Sequence, residues 1–439
     1  MMKILVLIGR AGIGGHVIST LTIASALLAK HKVVLAAGKG KLSDEIEKRG
    51  IKYIEIPFFI EAFNQEYAYF SFFSWITIKR VMEIVKKEEI NIIHAFDAPA
   101  SFVANFVTVF TGIPTVTTIC GGPGPVYPLP IFQKLIVFSK EYKKVMIDKF
   151  KWDKKDVVII KNRINFKEEV KNEVGQTCNF PFIPQHKNIM MVTRFSGEKI
   201  KAIEYVFKAV EGILNLRSDI TLILIGNGQF YEKINILTKE INNKIGRKGI
   251  ILTGDVINAN LLLKYGDIVI GVGRSAFEGM FWGKPTIIVG ENGFAGVIEE
   301  KTVEELEYYN FSGRNVDVSV DCKELEKVIW KILEDEQYAL KIGRFGREYL
   351  EQEIDVVQGI EKIEKIYENI LSMEKVSLKV RIKSFSFLIW NVIRILVDYI
   401  IFSMMIGKIL AKIKGKIVTT QLLLFWTYLL LLFCHSELL

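Results

Sequence analysis

The chain has 439 residues, 50 % of them hydrophobic and 24 % charged, enough apolar material for a large core divided over at least two domains. This excludes a disordered chain and a small stapled module. Lysine and arginine exceed aspartate and glutamate by 58 to 49, a net charge of +9. The excess is local: from Lys375 to Lys416 nine basic residues face one acid, Asp398, whereas positions 1–374 carry 49 bases and 47 acids. A nearly neutral body argues against nucleic acid as a partner, and basic residues beside hydrophobic sequence point to a membrane surface.

The first residues, Met-Met-Lys, precede only five apolar positions, Ile4 to Ile8, before Gly9. That run is shorter than a secretory h-region and is read as a buried first strand. Short β-branched runs then alternate with helix-period segments, the pattern of a parallel sheet covered by helices. One set of predicted strands covers 3–9, 32–37, 51–56, 91–95, 114–119, 134–139 and 156–160; a second covers 188–193, 221–226, 249–254, 267–272 and 285–290. Between the sets, 166–187 is polar, contains Pro181 and Pro184, and reads as a linker. After Lys199, apolar residues at Ile203, Val206, Phe207, Val210, Ile213 and Leu214 predict a helix with one face on a sheet. Cys120, Cys178, Cys322 and Cys434 are more than fifty residues apart and form no CxxC pair, which suits reduced intracellular thiols.

Two segments carry membrane signals. Phe58 to Trp75 holds nine aromatics in eighteen residues and is followed by Lys79 and Arg80, as on an interfacial segment, with a core helix as the alternative. In the tail, Ile417 to Cys434 is eighteen residues without a charge, just enough to span a bilayer core, and Lys408, Lys412, Lys414 and Lys416 precede it, which keeps that side cytoplasmic. Phe385 to Ile406, interrupted by Asn391, Arg394 and Asp398, is expected to lie in the interface; a buried helical hairpin is the alternative for the whole tail.

Three strand-to-helix junctions carry chemistry. In GVGRSAFEGMFWGKP, Gly271 to Pro285, glycines at a strand end allow a tight turn, and the N–H groups opening the next helix favour an anion such as a phosphate. Arg274 adds positive charge; Ser275 and Glu278 have capping-box spacing, which would tie Glu278 to the helix start. In TRFSGEKIK, Arg194 and Lys199 on a short loop could clamp a diphosphate or simply be solvated. Gly9, Gly12, Gly14, Gly15 and His16 crowd the first turn, in neither dinucleotide nor P-loop spacing, so a close backbone approach to a ligand is what remains. His94, with Asp97 three residues on, could bond a sugar hydroxyl or be a satisfied core histidine. No D-x-D pair follows a strand, so no metal is expected on a nucleotide diphosphate.

Together these pieces resemble the retaining glycosyltransferases of the GT-B fold, glycosyltransferase group 1 or family 4 type. The shared patterns read R-F-S-G-E-K at Arg194 to Lys199 and E-G-M-F-W-G-K-P at Glu278 to Pro285. LILIGNGQ, Leu222 to Gln229, looks like the family's "vGdGp" turn, and VVIIKNRIN, Val157 to Asn165, like the segment that closes its first domain. The resemblance covers about residues 1–370 and implies an α/β protein with two Rossmann-like domains facing a cleft. Its domains would be an acceptor-side domain 1–165, the linker 166–187, a nucleotide-sugar-binding domain 188–350, a helix 351–374 crossing back, and a membrane-associating tail 375–439. It implies that Arg194 and Lys199 bind the donor diphosphate, assisted by the N–H groups at Arg274, Ser275 and Ala276. Gly226, Asn227 and Gly228 would belong to the donor site, and Glu278 would hold the ribose hydroxyls. Gly14, Gly15 and His16 would line the acceptor side, and His94 would sit in the cleft near the transferred sugar. Many members carry a second Glu eight residues before Glu278; here that position is Ile270.

The expected activity is transfer of a sugar from a nucleotide sugar, with a UDP-sugar as the working donor, to a lipid-linked or polysaccharide acceptor in cell-envelope synthesis. It would act at the cytoplasmic membrane face, held peripherally or by a single span, without metal or other cofactor. The alternatives are a nucleotide-sugar 2-epimerase and a catalytically silent GT-B scaffold at the membrane.

Overall fold

The computed structural model describes residues 1–57, 75–121, 134–161, 163–166, 183, 185–256, 259–317, 321–372, 376, 378–382 and 384–390. The chain divides into two compact units, one of residues 1–137, 145–158 and 362–439, the other of 138–144 and 159–361. The aromatic stretch before Trp75, most of the linker and the uncharged segment Ile417 to Cys434 lie outside the described residues. Among the described residues no helix is long and apolar enough to cross a membrane.

In the first unit, runs such as Ile4 to Ile8, all fully buried, are apolar on both faces and therefore settle in the middle of a covered sheet. The strands are β1 (Lys3–Arg10), β2 (Lys32–Gly38), β3 (Lys52–Glu55), β4 (Ile92–Ala95), β5 (Thr115–Ile119), β6 (Lys134–Val137) and β7 (Val157–Ile159). Their order across the sheet is β3-β2-β1-β4-β5-β6-β7. Helices α1 (Gly15–Leu28), α2 (Ser43–Lys48), α3 (Trp75–Lys87), α4 (Ala98–Thr111) and α5 (Lys140–Asp148) make the connections.

The second unit repeats the plan with β8 (Lys187–Val192), β9 (Ile220–Ile225), β10 (Ile250–Leu252), β11 (Ile268–Gly271), β12 (Thr286–Gly290) and β13 (Gly293–Val297), ordered β10-β9-β8-β11-β12-β13. Its helices are α6 (Gly197–Leu216), α7 (Tyr231–Ile245), α8 (Arg274–Phe281), α9 (Val303–Tyr308), α10 (Lys323–Glu334) and α11 (Glu336–Glu353). The predicted periodic face of α6 is buried: Ile203, Val206, Val210 and Ile213 are fully covered. β13 was not predicted; it pairs antiparallel with β12, and its sequence GFAGV has two glycines and no β-branched residue before Val297. The strand order reverses between β1 and β4 and again between β8 and β11, and doubly wound sheets bind ligands beside such points.

The longer segment of the second unit begins at Ile159, where Arg163 N–H donates to Ile354 O at 2.9 Å and Ile164 forms a bridge with Asp355. Residues 351–353 finish α11, and the helix α12 (Val356–Ser372) follows. From Lys362 onward α12 belongs to the first unit, where Glu364 accepts from Lys30 at 2.9 Å and lies 3.1 Å from His31 Nε2.

His94 is a core residue of this unit and is not at a cleft surface. It is 0 % exposed, with Nδ1 2.6 Å from the Tyr367 hydroxyl of α12 and Nε2 2.7 Å from the Thr118 hydroxyl of β5. A neutral imidazole offers one donor and one acceptor, which two hydroxyls satisfy, and burial lowers its pKa to about 3. Tyr367 lies 273 positions along the chain from His94, a distance that no local pattern spans.

This sets a pH dependence. His94 contributes stability that is fully present above the unfolded pKa of about 6.5 and is lost as pH falls toward 3, since the unfolded chain takes up a proton that the folded core refuses. Denaturation midpoints are expected to drop from pH 7 to pH 4, and less steeply in His94→Gln; equal slopes in both proteins would remove His94 as the cause.

Candidate functional site

At the β8/β11 reversal, parallel pairing brings the ends of two neighbouring strands to one sheet edge, each leading into a helix. After β8 the chain turns through Thr193, Arg194 and Phe195 into α6, whose N-cap Ser196 makes no side-chain capping bond. Arg194 is exposed, and Lys199, in the first turn of α6, is half-buried. Phe195 is fully buried against Tyr231, ring centroids 6.0 Å apart, which pins the loop.

Gly226, Asn227 and Gly228, at the end of β9, press on that same loop. Thr193 N–H donates to Ile225 O at 3.0 Å, Phe195 N–H to Asn227 O at 2.9 Å, and Phe230 N–H to Phe195 O at 3.1 Å. A Cβ on Gly226 would stand 1.8 Å from Thr193 O, and one on Gly228 2.4 Å from Phe195 O. These glycines therefore have a packing duty: they let the β9 loop hold the arginine loop at backbone distance.

After β11 the turn is only Val272 and Gly273 before α8 begins at Arg274. Gly273, at φ 54° and ψ −118°, holds a conformation that side chains disfavour, and no side chain caps this helix. The predicted capping box is not what forms. Ser275 lies inside the helix, its hydroxyl 3.1 Å from both Val272 N and Val272 O, and a Cβ on Gly271 would meet that hydroxyl at 2.5 Å. Glu278 instead accepts from Arg274 Nε at 2.9 Å, with both side chains about nine-tenths buried. Arg274 Nη1 also donates to Arg163 O at 2.6 Å. The charge of Arg274 is thus engaged in holding Glu278.

Glu278 lines a shallow crevice with Ile164, Asn260, Phe281 and Trp282. It is too narrow to hold a water molecule, so these side chains have to shift before a ligand's hydroxyls reach the carboxylate. Trp282 Nε1 donates to Asn260 O at 2.7 Å and fixes one wall. Ala276, the third residue of α8, is fully buried. Among the described residues no group of His, Cys, Asp or Glu is gathered for a metal ion.

At the β1/β4 reversal of the first unit, the loop after β1 carries Gly12, Gly14, Gly15 and His16. Gly14 precedes α1 with extended backbone, and no side chain caps that helix. Gly15 and His16 are exposed, and a Cβ on Gly12 would meet nothing within 4 Å. The loop is held from beneath: Leu42 N–H donates to Ala11 O at 2.9 Å, and Gly40 lies so close that a Cβ there would stand 2.1 Å from Ala11 O.

The sequence matches no family model and no curated protein sequence. Among solved structures, the chain is similar to a glycosyltransferase from Rickettsia africae ESF-5, with TM-score 0.61 and 20 % identity over 84 % of this chain and 99 % of that one. It is also similar to HepE from Anabaena in complex with UDP, with TM-score 0.61 and 16 % identity over 84 % and 100 %. A protein from Listeria monocytogenes described as a UDP-N-acetylglucosamine 2-epimerase aligns at TM-score 0.58 and 16 % identity over 86 % and 99 %. The fold is GT-B. On it, Ile270 is an interior residue of β11, fully buried and paired with Met191 and Ile287. The two-residue turn that follows leaves no loop there to present a second carboxylate.

Within the GT-B fold one residue of the first unit gained a role beyond the sequence reading. Asp97 is the N-cap of α4: Oδ1 accepts from Ala100 N–H at 2.8 Å and Oδ2 from Gly9 N–H at 2.7 Å, tying the glycine-rich loop to the neighbouring helix start. Burial raises its pKa, while these two bonds and the nearby His16 favour the carboxylate. The signal was present in Asp97-Ala98-Pro99, an N-cap residue followed by proline in the first turn.

Gly226→Ala is expected to destabilise the protein by about 2 kcal/mol or more, since backbone and not a flexible side chain must yield. Gly12→Ala, whose Cβ meets no atom, is expected to leave the melting temperature nearly unchanged. Thermal melts of the two variants check this contrast.

Proposed function

We propose that this chain is a glycosyltransferase that moves a sugar from a nucleotide-sugar donor to a lipid-linked or polysaccharide acceptor, with retention, at the cytoplasmic face of the membrane. One observation carries the reading: the starts of α6 and α8 lie on neighbouring strands without side-chain caps, beside an exposed Arg194 and a carboxylate held in place by Arg274. Helix N-termini and loop cations favour the two charges of a diphosphate, and an oriented carboxylate accepts from vicinal ribose hydroxyls. Arg194 and Lys199 are assigned to the diphosphate, Glu278 to the ribose, and the loop of Gly14, Gly15 and His16 to the acceptor side.

In the transfer step the bond from the sugar to the diphosphate breaks and the bond to the acceptor oxygen forms on the same face, and the acceptor proton passes to the departing diphosphate. The protein's part is to stabilise the charge that develops on that leaving group, through Arg194, Lys199 and the helix N–H groups, without a metal. A UDP-sugar is the expected donor, in keeping with the UDP held by HepE. The likeness to a 2-epimerase keeps that chemistry as the second reading. The basic and apolar segment 375–439 favours transfer, because a soluble nucleotide sugar needs no bilayer.

Calorimetric titration of the full chain with UDP, GDP, ADP and dTDP is expected to show one preferred nucleotide without added metal, weakened by about 1–3 kcal/mol in Glu278→Ala and also weakened in Arg194→Ala. Nucleotide binding that is unchanged in both variants would place the donor elsewhere. No binding to folded protein would favour a silent scaffold, and NMR detection of inversion at sugar C2 without transfer would favour the epimerase.

A further inference from the structure

Beyond α12 the first unit carries a further helical stretch, 378–382 and 384–390. One of its faces is docked. Ser384 and Leu388 are buried, and Arg381 donates Nε to Val109 O at 2.6 Å and Nη2 to Phe110 O at 2.9 Å, closing the last turn of α4. Several large apolar side chains of the same stretch face outward. Leu378 is 68 % exposed, Ile382 59 %, Phe385 39 % and Trp390 65 %. Ordinary surface helices place their apolar stripe inward and their polar face outward, and here large apolar side chains stand on the outward face as well as the inward one.

The stripe continues onto neighbouring elements. Phe385 meets Phe110 edge-on at 6.2 Å, and Phe110 meets Trp75 edge-on at 5.5 Å, with all three rings more than a third exposed. Trp75 and Ile76 head α3, and one turn further its exposed face becomes basic at Lys79 and Arg80, the latter 3.1 Å from Glu83. Lys379 is exposed beside Leu378. Edge-packed exposed aromatics, aliphatic side chains and a rim of lysine and arginine make up a surface suited to lipid headgroups and the first carbons of acyl chains.

We propose that this face, built from the start of α3, the end of α4 and the stretch 378–390, beds into the interface of an anionic bilayer. The proposal deepens the membrane location given above and rests on it, naming the surface that makes contact. Two observations select lipid over a protein partner. Cations rim the apolar centre, complementary to phosphate headgroups. From Trp390 the chain also runs on for forty-nine residues that include Lys408, Lys412, Lys414, Lys416 and the uncharged Ile417 to Cys434, so a lipid-seeking segment is covalently continuous with the patch.

The test is hydrogen exchange on the full chain with and without vesicles of phosphatidylglycerol and phosphatidylethanolamine, alongside vesicle co-sedimentation of the double variant Ile382→Glu/Phe385→Glu. Both changed positions are exposed, and a circular-dichroism melt verifies folding. The expected result is vesicle-dependent protection at 75–80, 108–112 and 378–390, with binding by the variant about tenfold weaker or more. Vesicle binding with unchanged exchange at these segments would overturn the surface while leaving the membrane location standing. No vesicle binding at all would overturn both. Protection that follows protein concentration without lipid would assign the face to a second copy of the chain and overturn the proposal.

Discussion

Parallel strand pairing is the constraint from which the rest of this protein follows. Neighbouring parallel strands cannot be joined by a tight hairpin, so each connection leaves one edge of the sheet, crosses a face as a helix and returns to the other edge. All strand ends therefore gather on one edge, and all helix starts with them. In the second unit this brings the loops after β8 and β11 side by side, with the N-termini of α6 and α8 turned to the same edge. The first unit repeats the arrangement where the end of β1 lies beside the start of α4, and Asp97 joins Gly9 of the strand to the helix. The sites arise because the fold leaves its positive helix ends in company.

Holding such loops still requires close approach. At the edge of the second sheet the chain uses Gly226 and Gly228 to lay one loop on another at backbone distance, and at the first it uses Gly40 beneath Ala11. A motif glycine can thus serve a ligand indirectly, by fixing the loop that carries the charged group. Arg274 shows the same division of labour. It lies in the glycine-rich turn where a phosphate-binding arginine is expected, yet it is bonded to Glu278 and Arg163 O, so it orients the carboxylate.

The two units differ in how they are finished at the surface. The second closes its sheet with the antiparallel β13 and helices on both faces. The first is finished by chain from the far end of the sequence: α12 inserts Tyr367 to meet His94, and the stretch 378–390 covers the end of α4 with one face while showing large apolar side chains outward.

Much of this was legible in the residues themselves. Strand positions are set by local hydrophobicity, because a strand buried on both faces must be largely apolar, and runs such as Ile4 to Ile8 and Ile220 to Ile225 are buried throughout. The glycine-rich junctions and their nearby Arg, Lys and Glu are visible as local spacing, and so is the amphipathic face of α6. What spacing could not decide is which partner each polar group takes. His94 at a strand end reads equally well as a ligand or as core, and only Tyr367 arriving from 273 positions away makes it core. Glu278 reads as a capping-box acid, and only the start of α8 at Arg274 turns it toward that arginine and the crevice. Sequence alone determined where twelve of the thirteen strands, the helix α6 and the charged loops lie, because those depend on near neighbours. Tertiary structure decided which partner each polar and charged group takes, because hydrogen-bond partners are chosen in space and not along the chain.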